Sequence, residues 1–179
     1  TKVWKATDQG REVMLKLQEK RKRQINADPN LKLEQSITAS IRGRLAGLRN
    51  SDSSINLSNF TEFSSTSDLT SHFKSKLKEG MTMDNYGEYW SVAHVIPKVY
   101  FDFSDDAEIF RCNSKSNLSC DYNKWPNPLN ERTNSSKGGA MPTLSEIYSV
   151  SKEYWPSIFG NEMTEEKRKL FARHRSMLE

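Results

Sequence analysis

The chain has 179 residues, of which 28% are charged and 10% aromatic, and its formal net charge is +4. A chain of this length predicts one domain with extensions, and its aromatic content is enough for a modest core. No apolar run approaches the roughly eighteen residues that a membrane-spanning helix needs, and no signal peptide is visible. We therefore expect no membrane association and an intracellular location, with a mitochondrion or another organelle left open.

Charge is unevenly distributed along the chain. Residues 1–50 contain 12 Lys and Arg against 5 Asp and Glu, a net charge of +7. Residues 51–163 contain 10 against 15, a net of −5, and residues 164–179 contain 5 against 3, a net of +2. Basic ends on an acidic middle are typical of contact with a polyanion, so the composition favours nucleic acid as a partner.

The first fifty residues predict two helices. Residues 9–26 form the first, and its basic run Lys20–Arg23 fits a solvated helix face and a polyanion surface equally well. Asp28 followed by Pro29 predicts the start of the second helix, because proline suits the first helical position. The second helix carries an apolar stripe at helical spacing, made by Ile37, Ile41, Leu45 and Leu48. Its other faces carry three arginines that suit phosphate contact, namely Arg42, Arg44 and Arg49.

The middle of the chain predicts a linker followed by short helices and strands. Residues 50–67 are rich in Ser, Asn and Thr and are typical of a linker. Asp68 is expected to cap a helix that Gly80 ends. Further along, the pattern predicts a strand at 91–96, a short helix capped by Asp105, a strand or turn at 116–122, and irregular chain at 123–142.

The last forty residues predict two more helices. Thr143 and Glu146 fit a capping box, and the helix that follows carries an apolar stripe that ends at Tyr154. Thr164 is expected to cap the last helix, at 165–178. The basic residues of that helix are Lys167, Arg168, Lys169, Arg173 and Arg175.

Two cysteines, Cys112 and Cys120, are present. They could form a disulfide in a secreted protein, but in a reduced compartment they are thiols, which is the interpretation we favour. The three histidines are scattered, and neither residue type shows the paired spacing of a zinc site.

Several short motifs follow one another between residues 73 and 127. They are Gly80–Gly87, Tyr89-Trp90, Ala93–Pro97, Phe101 and Phe103, Arg111–Asn113, and Asn117-Leu118. Their order and spacing resemble the phage-type HNH endonuclease family, whose members read GMTWxNYG, WHIDHIIP, a Phe, KCxxxxNLQPLW, and then an Asn and a Lys. That family also has a basic helical lead-in, as this chain has at Arg42 and Arg44.

The resemblance implies a ββα-metal fold in which a histidine and a divalent ion hydrolyse a phosphodiester. His94 matches the family's general base, which deprotonates the attacking water, while the ion stabilises charge on the scissile phosphate. Asn117 matches the central Asn of the motif. For the third position Asn127 is nearest in spacing and Asn123 and Asn130 are rivals, but none is followed by the usual Lys. The metal residues that the resemblance implies are thus Asn117 and Asn127.

Three departures from the family pattern bear on activity. The family has a metal-binding Asp directly before the histidine, where this chain has Ala93, and a methyl group cannot coordinate Mg²⁺. A second family histidine is replaced by Ser91, and the QPLW stretch by residues 119–122. An engineered alanine at position 93 would account for only one of these departures, so engineering does not explain all three. Asp121 or Asp102 could supply a substitute carboxylate.

We expect an α+β chain with a small ββα-metal (HNH-like) core flanked by basic helices at both ends. Its segments are a basic N-terminal extension (1–50), a linker (51–67), the HNH-like domain (68–134) and a helical C-terminal extension (135–179).

Two functions are open. One is a structural, nucleic-acid-binding subunit of a ribonucleoprotein such as an organellar ribosome, with RNA favoured over DNA, other proteins as further partners, and no cofactor. The other is an active Mg²⁺-dependent HNH endonuclease with His94 as its catalytic base. Ala93 favours the first. The residues expected to bind nucleic acid are Lys16, Lys20, Arg21, Lys22, Arg23, Arg42, Arg44, Arg49, Lys167, Arg168, Lys169, Arg173 and Arg175.

Overall fold

The computed structural model describes residues 8–46 and 59–176. Arg49 and Leu48 lie outside the described residues, as does the first part of the predicted linker. The backbone of residues 40–46 is helical, but its side chains lie outside the described set, and with them those of Arg42 and Arg44. The same holds for the side chain of Arg175.

Two helices begin the described chain, as the sequence predicts. Helix α1 spans Asp8–Ala27 and helix α2 spans Pro29–Ala46. The Asp28 carboxylate between them accepts hydrogen bonds from the backbone N–H groups of Asn30 at 2.9 Å and Leu31 at 3.4 Å, so it caps α2. Helix α2 buries Leu33 and Ile37, whereas α1 buries Gly10 and exposes most of its length.

Helix α3, Thr66–Lys76, begins and ends earlier than predicted. Its cap is Ser65, whose hydroxyl accepts the Asp68 backbone N–H at 3.1 Å. Asp68 lies in the first turn instead, and its carboxylate accepts the Ser64 backbone N–H at 3.1 Å. The helix ends before Gly80, which takes a positive φ of 75° in a later turn. Glycine adopts that conformation at little cost.

Two short strands form an antiparallel pair. Strand β1 spans Trp90–His94 and strand β2 spans Leu118–Tyr122, and His94 lies opposite Leu118. Helix α4, Asp106–Cys112, lies between them in the chain and is capped by the Asp105 carboxylate, which accepts the Ala107 N–H at 2.9 Å. The predicted strands and short helix are confirmed, and the chain is α+β.

Three helices follow β2. Helix α5, Asn134–Lys137, lies in a stretch that the sequence predicted to be irregular. Helix α6, Leu144–Ser149, has the predicted Thr143 capping box but ends before Tyr154, which lies in a separate 3-10 turn. Helix α7, Glu165–Ser176, is capped as predicted by Thr164, whose hydroxyl accepts the Lys167 N–H at 3.2 Å.

One cluster of buried side chains joins these elements. It includes Leu33 from α2, Phe73 from α3, both strands, Ile109 from α4 and the C-terminal segment that contains Phe159. It also includes Phe63, which is 2% exposed although it lies in the predicted linker. Core formation therefore extends on both sides of the predicted 68–134 domain.

The two cysteines agree with the prediction that they are thiols. Cys112 and Cys120 are both buried and free, and burial raises the pKa of the Cys120 thiol to about 12. None of the described helices is both long and apolar enough to cross a membrane.

Candidate functional site

His94 stands at the end of β1, half-buried, beside the turn that follows α4. Its Nε2 lies 3.5 Å from the Oδ1 atom of Asn113, which is buried. The Asn113 carboxamide is itself oriented by a hydrogen bond from its Nδ2 to the Ile109 carbonyl at 2.8 Å. Asn113 is thus a fixed neighbour of the imidazole, although the motif that contains it implied no role for it.

Asn117 lies close to His94, as the motif order predicts, but its side chain makes backbone contacts. Its Oδ1 accepts the Ile96 N–H at 2.7 Å, and its Nδ2 donates to the carbonyls of Cys112 at 2.8 Å and Ile96 at 3.3 Å. These bonds tie the end of β1 to the end of α4. Asn117 is fully buried and its carboxamide is already used, so the geometry gives it a structural role in place of the implied metal contact.

Helix α5 brings a different asparagine to His94. The Asn134 Nδ2 donates to the Ser91 hydroxyl at 2.9 Å and to the Val92 carbonyl at 3.2 Å, so α5 is anchored on β1. Asn134 is followed three residues later by Lys137. The family pattern has an Asn and then a Lys after the second strand, and this signal identifies Asn134 as a better match than Asn127.

The other candidates for the third position lie elsewhere. Asn127 closes its own loop, because its Nδ2 donates to the Glu131 carbonyl at 2.8 Å and its Oδ1 accepts the Glu131 N–H at 3.0 Å. Asn123 accepts the Ser91 hydroxyl at 2.7 Å. Asn130 is exposed, with a φ of 51°. Asn127 therefore closes its own loop, and its metal role stays a prediction.

A groove beside β1 is the site to which His94 and Asn134 both contribute. It consists of two cavities of about 270 and 240 Å³, both lined by Val92, His94, Lys98 and Asn134. The first also reaches Gly138 and Gly139, and the second reaches Ser36, Ser91 and Asn113. We call it the His94 groove. The lining residues within the described part of the chain include a lysine and a histidine but no carboxylate.

Neither Asp121 nor Asp102, either of which could supply a substitute carboxylate, lines this groove. Asp121 is 5% exposed and bridges two lysines, Lys78 at 3.1 Å and Lys137 at 2.8 Å. Asp102 is exposed and accepts hydrogen bonds from the backbone and hydroxyl of Ser104, which lower the pKa of its carboxyl.

The donor set of the His94 groove fits Mg²⁺ poorly. This ion takes hard oxygen ligands, usually including one or two carboxylates, whereas the groove offers an imidazole and neutral carboxamides and hydroxyls. Ala93, where the family has its Asp, is buried and pairs with Ser119. Over residues 8–46 and 59–176, no cluster of three or more His, Cys, Asp or Glu side chains could hold a metal ion.

The basic residues of α1 lie on the surface. Lys20, Arg21, Lys22 and Arg23 are all exposed, and Lys16 is exposed and pairs with Glu12 at 2.7 Å. An exposed pair of this kind contributes at most about 1 kcal/mol, so Lys16 can exchange Glu12 for a phosphate. The predicted basic surface is thus accessible on α1.

The basic residues of α7 are divided between structural and exposed positions. Lys167 donates to the carbonyls of Phe159 and Glu162, and Arg168 makes a bidentate pair with Glu165 at 2.7 and 2.8 Å. The Lys167 contacts tie α7 to the chain before it, whereas the Arg168 pair lies within the helix. Two further members of the predicted set, Lys169 and Arg173, are exposed.

Comparisons with known proteins do not assign the chain to a family. No family model matches it, and neither the curated proteins nor the solved structures contain a match. The HNH resemblance therefore rests on the motif residues, and membership of that family stays a prediction.

Proposed function

We propose that this chain is a nucleic-acid-binding protein built on a degenerate HNH-endonuclease-like domain, with a structural role. The observation that carries the proposal is the His94 groove, which presents Lys98 and His94 without a carboxylate among its described lining residues. An ammonium group and neutral hydrogen-bonding groups suit phosphate oxygens, whereas the described lining residues include none of the acidic oxygens that a catalytic Mg²⁺ needs.

Helix α1 supports the same proposal from a second surface. It presents Lys20–Arg23 to solvent on a helix that buries little of its own length. Contacts from such a surface to phosphates position a protein without reading bases. We place the chain in a ribonucleoprotein such as an organellar ribosome, with RNA favoured over DNA and neighbouring proteins as further partners.

The test is a salt titration of binding by the full chain to structured RNA and to duplex DNA. Lys98→Gln should weaken binding and lower the slope of log K against log salt by about 0.7–0.9, the value expected for one lost phosphate contact. Lys152→Gln is the matched control, because Lys152 is exposed on the C-terminal 3-10 turn. Equal slopes for Lys98→Gln and the unmodified chain would remove the groove from the binding surface.

Isolation of the native protein tests the finer proposal. Copurification with ribosomal RNA and many proteins supports a ribonucleoprotein subunit. Recovery of the native protein without any nucleic acid contradicts it.

An active nuclease is the second candidate, and one arrangement favours it. His94 ends β1 near Asn117, and Asn134 of the helix after β2 lines the same groove, in the order strand, strand, helix that the resemblance implies. Cleavage of plasmid DNA by the unmodified chain in Mg²⁺, abolished by His94→Ala, would replace the structural role with a catalytic one.

A further inference from the structure

Residues 124–131, the Trp125 loop, expose two large apolar side chains between β2 and α5. Trp125 is 60% exposed and Leu129 is 48% exposed. The other tryptophans within the described ranges, Trp90 and Trp155, are buried. An exposed indole does not contribute the free energy of folding that burial of a large aromatic ring usually supplies. Two exposed large apolar side chains on one short loop therefore indicate a contact surface.

The Trp125 loop is held in one shape by its own central residue. The Asn127 carboxamide binds both backbone groups of Glu131, and its Nδ2 also donates to the Lys124 carbonyl at 3.4 Å. Its backbone carbonyl accepts the Asn130 N–H at 3.0 Å. Pro126 and Pro128 each fix one further backbone angle. The indole is therefore presented on an ordered loop, which reduces the entropy lost when a ligand binds.

The loop is continuous with the His94 groove. Asn123, two residues before Trp125, accepts the hydroxyl of Ser91, which lines the groove, and donates its backbone N–H to Tyr89 at 2.9 Å. Two residues of extended chain span about 7 Å at most, so the Cα of Trp125 lies within one nucleotide's reach of Asn123. A nucleic-acid strand that leaves the groove on the side of Ser91 would therefore run toward the loop.

The polar surroundings of Trp125 favour a nucleotide as its occupant. Lys124 pairs with Glu88 at 3.1 Å, and both side chains are largely exposed, so the lysine can exchange this weak partner for a phosphate. The acidic side chain of the loop, Glu131, is already neutralised by Lys78 at 2.5 Å. The flat, exposed face of the indole beside the exposed Lys124 ammonium suits one base with its phosphate.

We propose that Trp125 is a stacking platform for an unpaired base of the nucleic acid that the His94 groove holds. Every base has a π-face, so stacking on Trp125 tolerates any sequence but requires a base outside a duplex. The chain then prefers single-stranded or looped nucleic acid over a continuous duplex. This inference rests on the proposed nucleic-acid binding.

The experiment compares binding of oligouridine, oligothymidine and a blunt RNA duplex by the full chain. Trp125→Ala should weaken binding to the single strands roughly tenfold or more, whereas binding to the duplex should change by less than about twofold. Trp125→Phe keeps a π-face and should recover most of the lost affinity. The matched control is Ile158→Ala, which truncates a side chain that is similarly exposed, at 58%, and lies outside the loop.

Cross-linking with 5-iodouridine in the single strand should map to Trp125. If Trp125→Ala binds single strands as tightly as the unmodified chain, the stacking role is overturned while the proposed function stands. Equal losses of affinity for single strands and for duplex would also overturn the stacking role. A chain that binds no nucleic acid would overturn both proposals. Intact nucleic-acid binding by Trp125→Ala, combined with loss of a protein partner, would make the loop a protein-docking surface and overturn the proposal.

Discussion

The motif asparagine and the motif histidine have different surroundings although they lie side by side. Asn117 makes three hydrogen bonds to backbone groups and is fully buried, so it fixes the chain around the end of β1. His94 is half-buried and opens onto the groove. The residue types and their proximity could be predicted from the motif order. The motif order could not predict which of these two residues faces a ligand, because that depends on the path of the chain between Cys112 and Asn117.

A second histidine, His72, makes the stability of the fold depend on pH. Its ring packs beside both Phe63 and Phe73, with centroids 5.4 and 5.1 Å away, and its Nε2 is 3.2 Å from the Leu118 carbonyl of β2. Burial lowers the pKa of His72 below its ordinary value, although the bond to Leu118 opposes this. Nearby Lys76 and Lys115 also lower the pKa, and Asp68 raises it.

Unfolding free energy should therefore fall as the pH drops. Between the unfolded pKa of about 6.5 and the lower folded pKa of His72, the folded state binds fewer protons than the unfolded state. The contribution of His72 to the free energy of unfolding is therefore fully present above this pH window and is lost as the pH falls through it. Urea denaturation between pH 8 and 5 measures the effect. In His72→Phe this pH-dependent component should vanish while the carboxylates titrate as before. Parallel stability curves for the two proteins would contradict the prediction.

At the scale of elements, the position of α5 depends on a buried carboxylate. Asp121 of β2 bridges Lys137 of α5 and Lys78, and Lys78 also pairs with Glu131. Burial lowers the pKa of the Lys78 ammonium, but its bonds to the two carboxylates outweigh burial and raise it overall. The network holds α5, and with it Asn134, against the strands.

Removing the central charge should therefore destabilise the fold. Asp121→Asn leaves two partly buried lysines without their shared carboxylate, and we expect a loss of about 1–3 kcal/mol in the free energy of unfolding because the lysines remain partly solvated. Glu88→Gln removes the partner of exposed Lys124 and should cost less than about 1 kcal/mol. Denaturant unfolding of both variants measures the difference. Equal, small losses would mean that Asp121 does not fix α5.

Helix starts were predictable where one residue decides them. Asp28, Asp105, Thr143 and Thr164 each accept a backbone N–H of the first turn, and such bonds depend on local sequence. At α3, two local signals compete. Ser65 and Asp68 both make capping-type bonds, and the earlier residue sets the boundary because Phe63 is buried beside it.

Helix α5 was missed because its own sequence is a poor helix former. Its four residues are Asn134-Ser-Ser-Lys137, flanked by glycines at 138 and 139. Local propensity therefore favours irregular chain. The turn is stabilised by tertiary contacts instead, through Asn134 to β1 and Lys137 to Asp121. Those contacts depend on strand pairing and are invisible to a pattern read along the chain.

At the scale of the whole molecule, the terminal segments that carry the basic residues also contribute side chains to the core. Leu33 of α2 belongs to the core cluster, and Phe171 of α7 packs against it, although both belong to segments predicted as extensions. An apolar stripe predicted α2 and the Thr164 cap predicted α7, but neither signal could specify the surface that these helices cover. Helix α1 differs, because Val13 and Leu17 stay 38% and 55% exposed. These apolar side chains of α1 are therefore only partly buried.

The last prediction concerns how much of the nucleic-acid affinity α1 supplies. A truncated chain such as 51–163 would remove Leu33 and Phe171 and damage the core, so the charges are better changed in the full chain. The four substitutions Lys20→Gln, Arg21→Gln, Lys22→Gln and Arg23→Gln keep helix propensity nearly constant. Residues 51–163 bear a net −5, which repels phosphate, so we expect the positive charge of α1 to offset that repulsion when nucleic acid binds.

We expect the fourfold variant to bind structured RNA and duplex DNA more weakly, with a salt slope that falls by up to about 0.9 for each lost phosphate contact. The paired control Lys74→Gln and Lys76→Gln removes two exposed lysines from α3 and should change the slope less. Salt titrations of all three proteins decide the matter. If the fourfold variant keeps the affinity and slope of the unmodified chain, α1 does not bind nucleic acid. Its basic surface would then suit an acidic protein neighbour, since arginine and lysine pair with carboxylates as well as with phosphates.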